Sequence, residues 1–353
     1  MSRAPVCVGR GGFAVVAVLL LLIGLMGLAH GALLLAERER IASGLEARLL
    51  SRRLAARAAA RPPEGTDTLP TLGRTAIPLG GGRRELLRWR TDGVGIGREL
   101  VLLVGVAALE GLPGEDRVGA LAAVLDPSAR AARAAAVVEA GGGADVGADG
   151  VTASGWLAPD AAQAAACTAE LRALDSLGAV APPPLAALPP AAVPVLPGLG
   201  AIPGDTLLAR VAGRIAATAT PQPREWLGAC VPGLLNWGSP SDPTGPCGTR
   251  WVLRAADRDL LVRGGEGQGV LIVAGSLTLA DGARFDGVAL VGGDLTVVRG
   301  ATLAGMARVA GLVRVRDGGR VVGSACAVAR AIRASAPLRR PWLLPGLARV
   351  HPL

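Results

Sequence analysis

The chain has no lysine and no tyrosine, only two phenylalanines and two histidines, and aromatic residues make up 2% of it. Arginine therefore carries the side-chain positive charge, and the formal excess of +9 accompanies 51 glycines and 26 prolines. A bias toward Ala, Gly, Arg and Pro is what a GC-rich coding sequence writes, so part of that charge reflects codon usage. The arginines are scattered and few rings interleave with them to stack bases; a solvated surface accounts for them, and no nucleic-acid partner is expected. The two histidines are His30, inside an apolar run and read as an interfacial side chain, and His351, third from the C-terminus. Neither is placed to serve a Ser–His–Asp triad. The five cysteines, Cys7, Cys167, Cys230, Cys247 and Cys326, show no CxxC spacing, which argues against a zinc site. Gly93-Val-Gly95-Ile-Gly97 does not complete G-x-G-x-x-G, and no Walker loop is present. No catalytic, cofactor-binding or metal-binding residue is assigned, and a non-enzymatic protein is expected.

What is present begins with a run free of Asp, Glu, Lys and Arg from Gly11 to Ala36. About 20 apolar residues suffice to cross the hydrocarbon core as a helix. Arg3 and Arg10 precede the run, while Glu37, Arg38, Glu39 and Arg40 follow it and nearly cancel. That asymmetry predicts a single-pass anchor in the inner membrane, its N-terminus cytoplasmic and the remainder periplasmic or extracellular. Good helix formers continue without proline to Ala60, with Ile41, Leu45 and Leu49 at i, i+4 spacing and Leu54 close to the stripe. Arg61-Pro62-Pro63 ends the helix. A helix over 13–61 would be roughly 70 Å long at about 1.5 Å per residue, a spanning segment plus an amphipathic stalk.

The run Arg10-Gly11-Gly12-Phe13-Ala-Val-Val-Ala-Val-Leu-Leu-Leu-Leu resembles the N-terminus of type IV pilin-like proteins, most of all the PilX-type pilus-assembly proteins and the minor pseudopilins of type II secretion. The resemblance covers about the first fifty residues. It implies a leader over 1–12, cleavage by a prepilin peptidase after Gly12, and methylation of Phe13. It also implies packing against other pilin-like subunits through the N-terminal helix. Major pilins carry Glu at the fifth mature position; here that position is Ala17, which fits a minor subunit better. Two other fates stay open: an uncut anchor, and a signal peptide cut after Ala29-His30-Gly31.

Beyond the stalk, 62–83 is rich in Pro and Gly and reads as a linker, and 84–155 as a mixed α/β region. Leu100 to Leu109 is apolar but too short to span, hence a buried strand. Asp126-Pro127 is expected to open a helix from Ser128 to Glu139. Residues 156–265 read as an inserted region with Pro and Cys. Within it the Pro/Ala/Leu tract from Pro182 to Pro203 is expected to be extended and surface-lying.

The most specific pattern lies in 266–324. Gly269, Gly287, Gly305 and Gly323 are each 18 apart, as are Gly275, Gly293 and Gly311, and Gly282, Gly300 and Gly318. Inside this runs a period of six: Val273, Leu279, Phe285, Val291, Val297, Leu303, Val309, Val315 and Val321. Large side chains would stack inside, small ones fit near corners, and glycines supply turn dihedrals. About three 18-residue coils of a hexapeptide-type β-helix are expected, of either hand. Many hexapeptide β-helices are acyltransferases with a His base; no His lies in these coils. Asp281, Asp294 and Asp317 are read as turn residues. A helix over Ala325 to Ala334 would cap the solenoid, within a C-terminal cap over 325–353. The cadence of Val137 to Gly155 suggests an outlying coil of the same solenoid.

The fold class is therefore α+β: a long transmembrane helix followed by a β-rich extracytoplasmic region ending in a short β-helix. In an oxidising compartment the cysteines left after a cut at Gly12 allow two disulfides, Cys230–Cys247 and Cys167–Cys326 being the favoured pairing, with buried free thiols the alternative. The readings of function are a minor pilin-like subunit, a membrane-anchored envelope scaffold or binding protein, and last an acyltransferase.

Overall fold

The computed structural model describes residues 11–59, 74–79, 82–90, 100–109, 116–123, 125, 131, 134, 136–147, 150–188, 195–200, 202–339 and 342–343. Helix α1 is continuous over Gly11–Ala59. No proline interrupts it, and its internal glycines face open space.

Strands β1 (Arg74–Leu79), β2 (Gly82–Arg90), β3 (Leu100–Leu109) and β4 (Asp116–Ala123) form an antiparallel meander. β3 has the bounds expected of it. β1 falls inside 62–83 and pairs with β2 up to Leu79 opposite Gly82, so that stretch is not wholly a linker. The last turns of α1 lie against β2, β3 and β4 and bury Ala56 and Arg52. This differs from the expected stripe, because Ile41, Leu45 and Leu54 are exposed. Ala56 has no side chain beyond Cβ, so the helix can approach the sheet closely there.

Next come β5 (Val138–Ala140), β6 (Ala144–Val146) and β7 (Val151–Thr152). The helix expected to reach Glu139 does not, since Val138 to Ala140 is a strand; its start at Asp126 lies outside the described residues. Then follow α2 (Ala161–Ala166), α3 (Thr168–Ser176), β8 (Leu185–Ala187), α4 (Gly204–Arg210), β9 (Thr218–Ala219), and the hairpin of β10 (Glu225–Trp226) and β11 (Ala229–Cys230). The Pro-rich tract is not simply surface-lying. β8 pairs with β5, and Leu196, Leu199 and Ile202 are buried.

The solenoid proper runs through β12 (Val252–Ala256), β13 (Leu260–Arg263), β14 (Glu266–Val273), β15 (Leu277–Ala280), β16 (Arg284–Val291), β17 (Leu295–Val297), β18 (Thr302–Val309), β19 (Val313–Val315) and β20 (Arg320–Gly323). All stack in parallel in two ladders, making about four turns where three were expected. The extra turn escaped the repeat because it is one residue short. Val252 pairs with Gly269 and Leu260 with Leu277, seventeen apart, whereas Glu266 pairs with Arg284 and Leu277 with Leu295, eighteen apart. The slip falls in the turn after β13, where Gly264-Gly265 replaces the three-residue Asp281-Gly282-Ala283. Gly264 and Gly265 both have positive φ (57° and 68°), as do Asp281 and Gly282 (57° and 72°).

All nine residues of the period of six lie in one buried interior. Gly269, Gly287 and Gly305 turn a corner at φ near 140°, and a Cβ on any of them would run into the carbonyl oxygen one coil below. At another corner the side chains form a ladder of their own. The Ser276 N–H donates to Asp259 Oδ1 (2.7 Å), the Asp294 N–H to Ser276 Oγ (3.1 Å), and the Leu312 N–H to Asp294 Oδ1 (2.9 Å). Gly275, Gly293 and Gly311 leave room for those oxygens.

The chain closes both ends of the stack with itself. At one end Arg214 bridges Ala255, β9 pairs with β13, and Trp237 bridges Gly267, a partial coil. Trp237 fills the interior that Gly267 leaves empty and meets Phe285 edge to face at 6.3 Å. At the other end β5, β6 and β7 lie on β18, β19 and β20, one complete coil out of sequence order.

Helix α5 (Ala325–Ala334) starts at Ser324, whose Oγ accepts the Ala327 N–H. It is not an end cap. It lies along the flank, across β14, β16 and β18, over the outward side chains Val270, Ile272, Val288, Leu290 and Met306. The coil from Val138 already occupies the end where a cap was expected. After α6 (Ala336–Arg339), β21 (Trp342–Leu343) pairs with β4 and returns the chain to the antiparallel sheet.

Candidate functional site

Helix α1 offers the most conspicuous surface. Val18–Ala56 is long and apolar enough to cross a membrane. Val18, Leu19, Leu20, Leu21, Ile23 and Met26 are all more than half exposed, so nothing among the described residues covers them. Gly12 and Phe13 lie within the first turns of the same helix; residues 1–10, including Cys7, are outside the described region.

Two disulfides hold the solenoid and its wrapping together, and they pair as favoured from the sequence. Cys167, where α2 meets α3, is bonded to Cys326 in the first turn of α5, with 6.1 Å between Cα atoms. This bridge ties the lateral helix to the connection that descends along the stack. Cys230 is bonded to Cys247 with 4.9 Å between Cα atoms. The amide of Asn236 donates beside it to the Arg224 carbonyl (3.1 Å) and the Val231 carbonyl (2.7 Å).

A buried polar cluster lies on the outer side of the face that begins β16, and sequence reasoning did not single it out. The Asp286 side chain is fully enclosed. It accepts from Arg284 through both oxygens (2.9 and 3.0 Å) and from Gln163 Nε2 (3.0 Å), while Arg284 also lies 3.6 Å from Asp160. Burial raises the Asp286 carboxyl above the ordinary carboxylate range, and the Arg284 guanidinium opposes that rise. Gln268 donates to the Gly248 carbonyl (2.7 Å), and Ser239 to Glu266 (2.6 Å). These bonds pin the 236–250 loop and α2 to the stack. The enclosed Asp286 is held by its ion pair with Arg284, and the bonds of the cluster fasten wrapping to stack, a structural role. Its signal in sequence was an acid one residue after Phe285, on the outward side of the period.

The aspartates read as turn residues serve that role. Asp281 and Asp317 sit at φ 57° and 53° in the turns. Arg263, Asp281, Arg299 and Asp317 occupy one edge on successive coils, and the Arg299 guanidinium holds the Asp281 carboxyl below its ordinary range. Asp294 is likewise lowered, first by the Leu312 N–H and then by Arg314. Among the described residues no group of three or more His, Cys, Asp or Glu is placed to hold a metal ion.

No family model matches the chain, and no curated protein matches it. Among solved structures it is matched to the competence-associated pilin ComZ from Thermus thermophilus at 11% identity, over 88% of this chain and 93% of that one, with a TM-score of 0.18. A superposition this loose carries no argument about fold or role.

Proposed function

We propose that the chain is a membrane-anchored, non-enzymatic minor pilin-like subunit of a type IV pilus or a type II secretion pseudopilus. The observation that carries the reading is α1: its charge-free stretch is apolar and exposed from Val18 to Leu35, and among the described residues its buried positions are Arg52 and Ala56, near its C-terminal end. Such a helix has a use both in lipid, before assembly, and against similar helices, after it. Exposed Ile41 and Leu45 extend that surface beyond the charge-free run that ends at Ala36. In this reading a prepilin peptidase cuts between Gly12 and Phe13, the N-terminus begins in the cytoplasm, and the sheet and solenoid lie outside the inner membrane. Disulfides in both halves of the wrapping fit an oxidising compartment.

A second reading, an anchored envelope scaffold without a filament, is favoured by one feature: the closed, doubly stapled solenoid is a self-contained rigid body. Mass spectrometry of the mature N-terminus separates the two. A methylated Phe13 is expected for the pilin-like subunit. An intact Met1 would favour the scaffold, and a start at Ala32 would remove the anchor that both require.

A further inference from the structure

The partial coil at the bottom of the solenoid breaks the pattern at one corner. In complete coils the chain passes from one face to the next through two or three residues, Gly264-Gly265 or Asp281-Gly282-Ala283. In the partial coil β9 ends at Ala219, and the next face resumes only at Trp237. The chain between them leaves the stack as the hairpin β10–β11 and the loop after it.

What this excursion displays is unusual for a surface loop. Trp226 is 70% exposed and Leu227, at the tip, is 91% exposed. Val231, Leu234 and Leu235 continue the apolar strip. Leu227 has φ 50°, a left-handed conformation that glycine would adopt without strain and that a leucine rarely takes. Folding alone would be served better by Asn-Gly than by Leu227-Gly228 in such a turn. Yet the hairpin is not loose. The Val231 N–H donates to the Arg224 carbonyl (2.8 Å) and the Gln222 N–H to the Leu235 carbonyl (2.9 Å). Cys230–Cys247 fastens its base. A rigid, convex projection with a Trp-Leu tip is therefore held out into solvent.

Its flank is basic. Arg254 donates to the Gly233 carbonyl (3.0 Å), and Arg250 reaches the same carbonyl (3.4 Å) and that of Asn236 (2.9 Å). Both are half-buried, neither is placed in an ion pair among the described residues, and Arg254 Nε is enclosed without a hydrogen-bond partner. Arg224 is exposed on the hairpin itself, and Glu225 is its one acidic neighbour there. Two guanidinium groups sharing one carbonyl repel each other; burial, and then Arg250, lower the pKa of Arg254. An anion brought between them would relieve that repulsion.

We infer that this hairpin is a lipid-surface wedge: Trp226 and Leu227 enter the acyl boundary of an anionic bilayer while Arg250 and Arg254 meet headgroup phosphates. A projecting tip favours lipid over a protein pocket, since Trp226 and Leu227 lie at the exposed end of a two-stranded hairpin. The charge pattern is that of interfacial segments, aromatic and aliphatic at depth with arginine at headgroup level. A chain that carries its own spanning helix keeps a bilayer at high effective concentration, so a small wedge suffices. The inference does not depend on the pilin reading and holds equally for an uncut anchor.

The test uses the full chain in proteoliposomes of phosphatidylethanolamine and phosphatidylglycerol containing brominated acyl chains. The fluorescence of Trp226 is taken as the difference between the wild type and Trp226→Phe. The expected result is a blue-shifted Trp226 component quenched by the bromolipid, with quenching lost in phosphatidylcholine alone. Arg254→Gln and Leu227→Gly should each lower the inserted population by about tenfold, the factor that one buried apolar side chain or one headgroup contact supplies. Leu227→Gly removes turn strain, so its thermal unfolding midpoint should not fall, which separates loss of contact from loss of fold. A Trp226 component that stays water-exposed and unquenched in phosphatidylglycerol overturns the inference. A component that is blue-shifted but unquenched overturns it in favour of a protein partner.

Discussion

Helix α1 and the solenoid are built from the same few side chains, Leu, Val, Ala and Gly, and put them to opposite use. Over the charge-free part of α1 they occur without a period, so every face there is apolar, and Val18 to Leu35 lies almost wholly exposed among the described residues. In the solenoid they recur every sixth residue, so nine large ones fall into one closed interior. Hydrophobicity is comparable in both; its spacing decides whether the chain needs an outside apolar medium or makes one. Glycine shows the same contrast. Gly24, Gly27 and Gly31 have nothing within 4 Å of a would-be Cβ, whereas at Gly287 a Cβ would meet the carbonyl oxygen of Gly269.

That contrast can be pressed by substitution. The largest effect should come from Gly287→Val, which adds a side chain at φ 141° against the backbone of the coil below. We expect a loss of more than about 4 kcal/mol, read as failure to give a cooperative thermal transition. A transition within a few degrees of wild type would mean the corner is not as tight as described. The paired change Cys167→Ser with Cys326→Ser opens a bridge spanning 159 residues and should cost about 4–5 kcal/mol; Cys230→Ser with Cys247→Ser, spanning 17, should cost about 3. Denaturant midpoints in the reverse order would break the loop-closure account. Phe285→Ala empties the interior beside Trp237 and should cost about 3–4 kcal/mol, with no effect on membrane retention. Gly24→Ala, the counterpart of the first change, should have the opposite sign. It should raise helix stability by about 0.5–1 kcal/mol, seen as slower amide exchange around residue 24 in detergent.

The smallest effect is on pH dependence. Asp294 has a folded pKa below its unfolded value of about 3.9. Its contribution is therefore full above about pH 4 and is lost as pH falls through the folded value. Asp286 works the other way. Its folded pKa is raised, so it takes up a proton earlier in the native state, and its penalty relaxes as pH falls through that value. Asp294→Asn should flatten the acid limb of the stability curve, and Asp286→Asn should not reproduce that change.

Much of this was legible before the structure. The charge-free run from Gly11 to Ala36 announces α1, and the 18-residue glycine spacing announces the stacked coils and their corners. The four cysteines beyond Cys7 and the shortness of the Cys230–Cys247 loop pointed to the observed pairs. What was not legible has definite causes. The first coil was hidden because Gly264-Gly265 shortens one turn by one residue and shifts the phase of everything before it. The strand from Val138 to Ala140 follows an Ala/Arg stretch whose composition favours helix, and pairing with Ala307 to Val309 overrides that preference. Leu196, Leu199 and Ile202 sit among prolines that suggested a solvated tract, yet they are buried against the outer face of the stack. The apolar hairpin tip carries no period at all; only its exposure and its left-handed leucine mark it out.

By itself, then, the sequence determined that one helix is apolar all round from Gly11 to Ala36 and that one segment coils with a repeat of eighteen residues. Both follow from local spacing, which a single strand or helix expresses wherever it lies. The cadence of 137–155 had suggested an outlying coil; the tertiary structure decided that it closes the end of the stack on strands some 170 positions later, that α5 covers a flank and not an end, and that Trp226 and Leu227 point outward. Those choices rest on contacts between distant segments, where backbone pairing and burial outweigh what any one segment prefers.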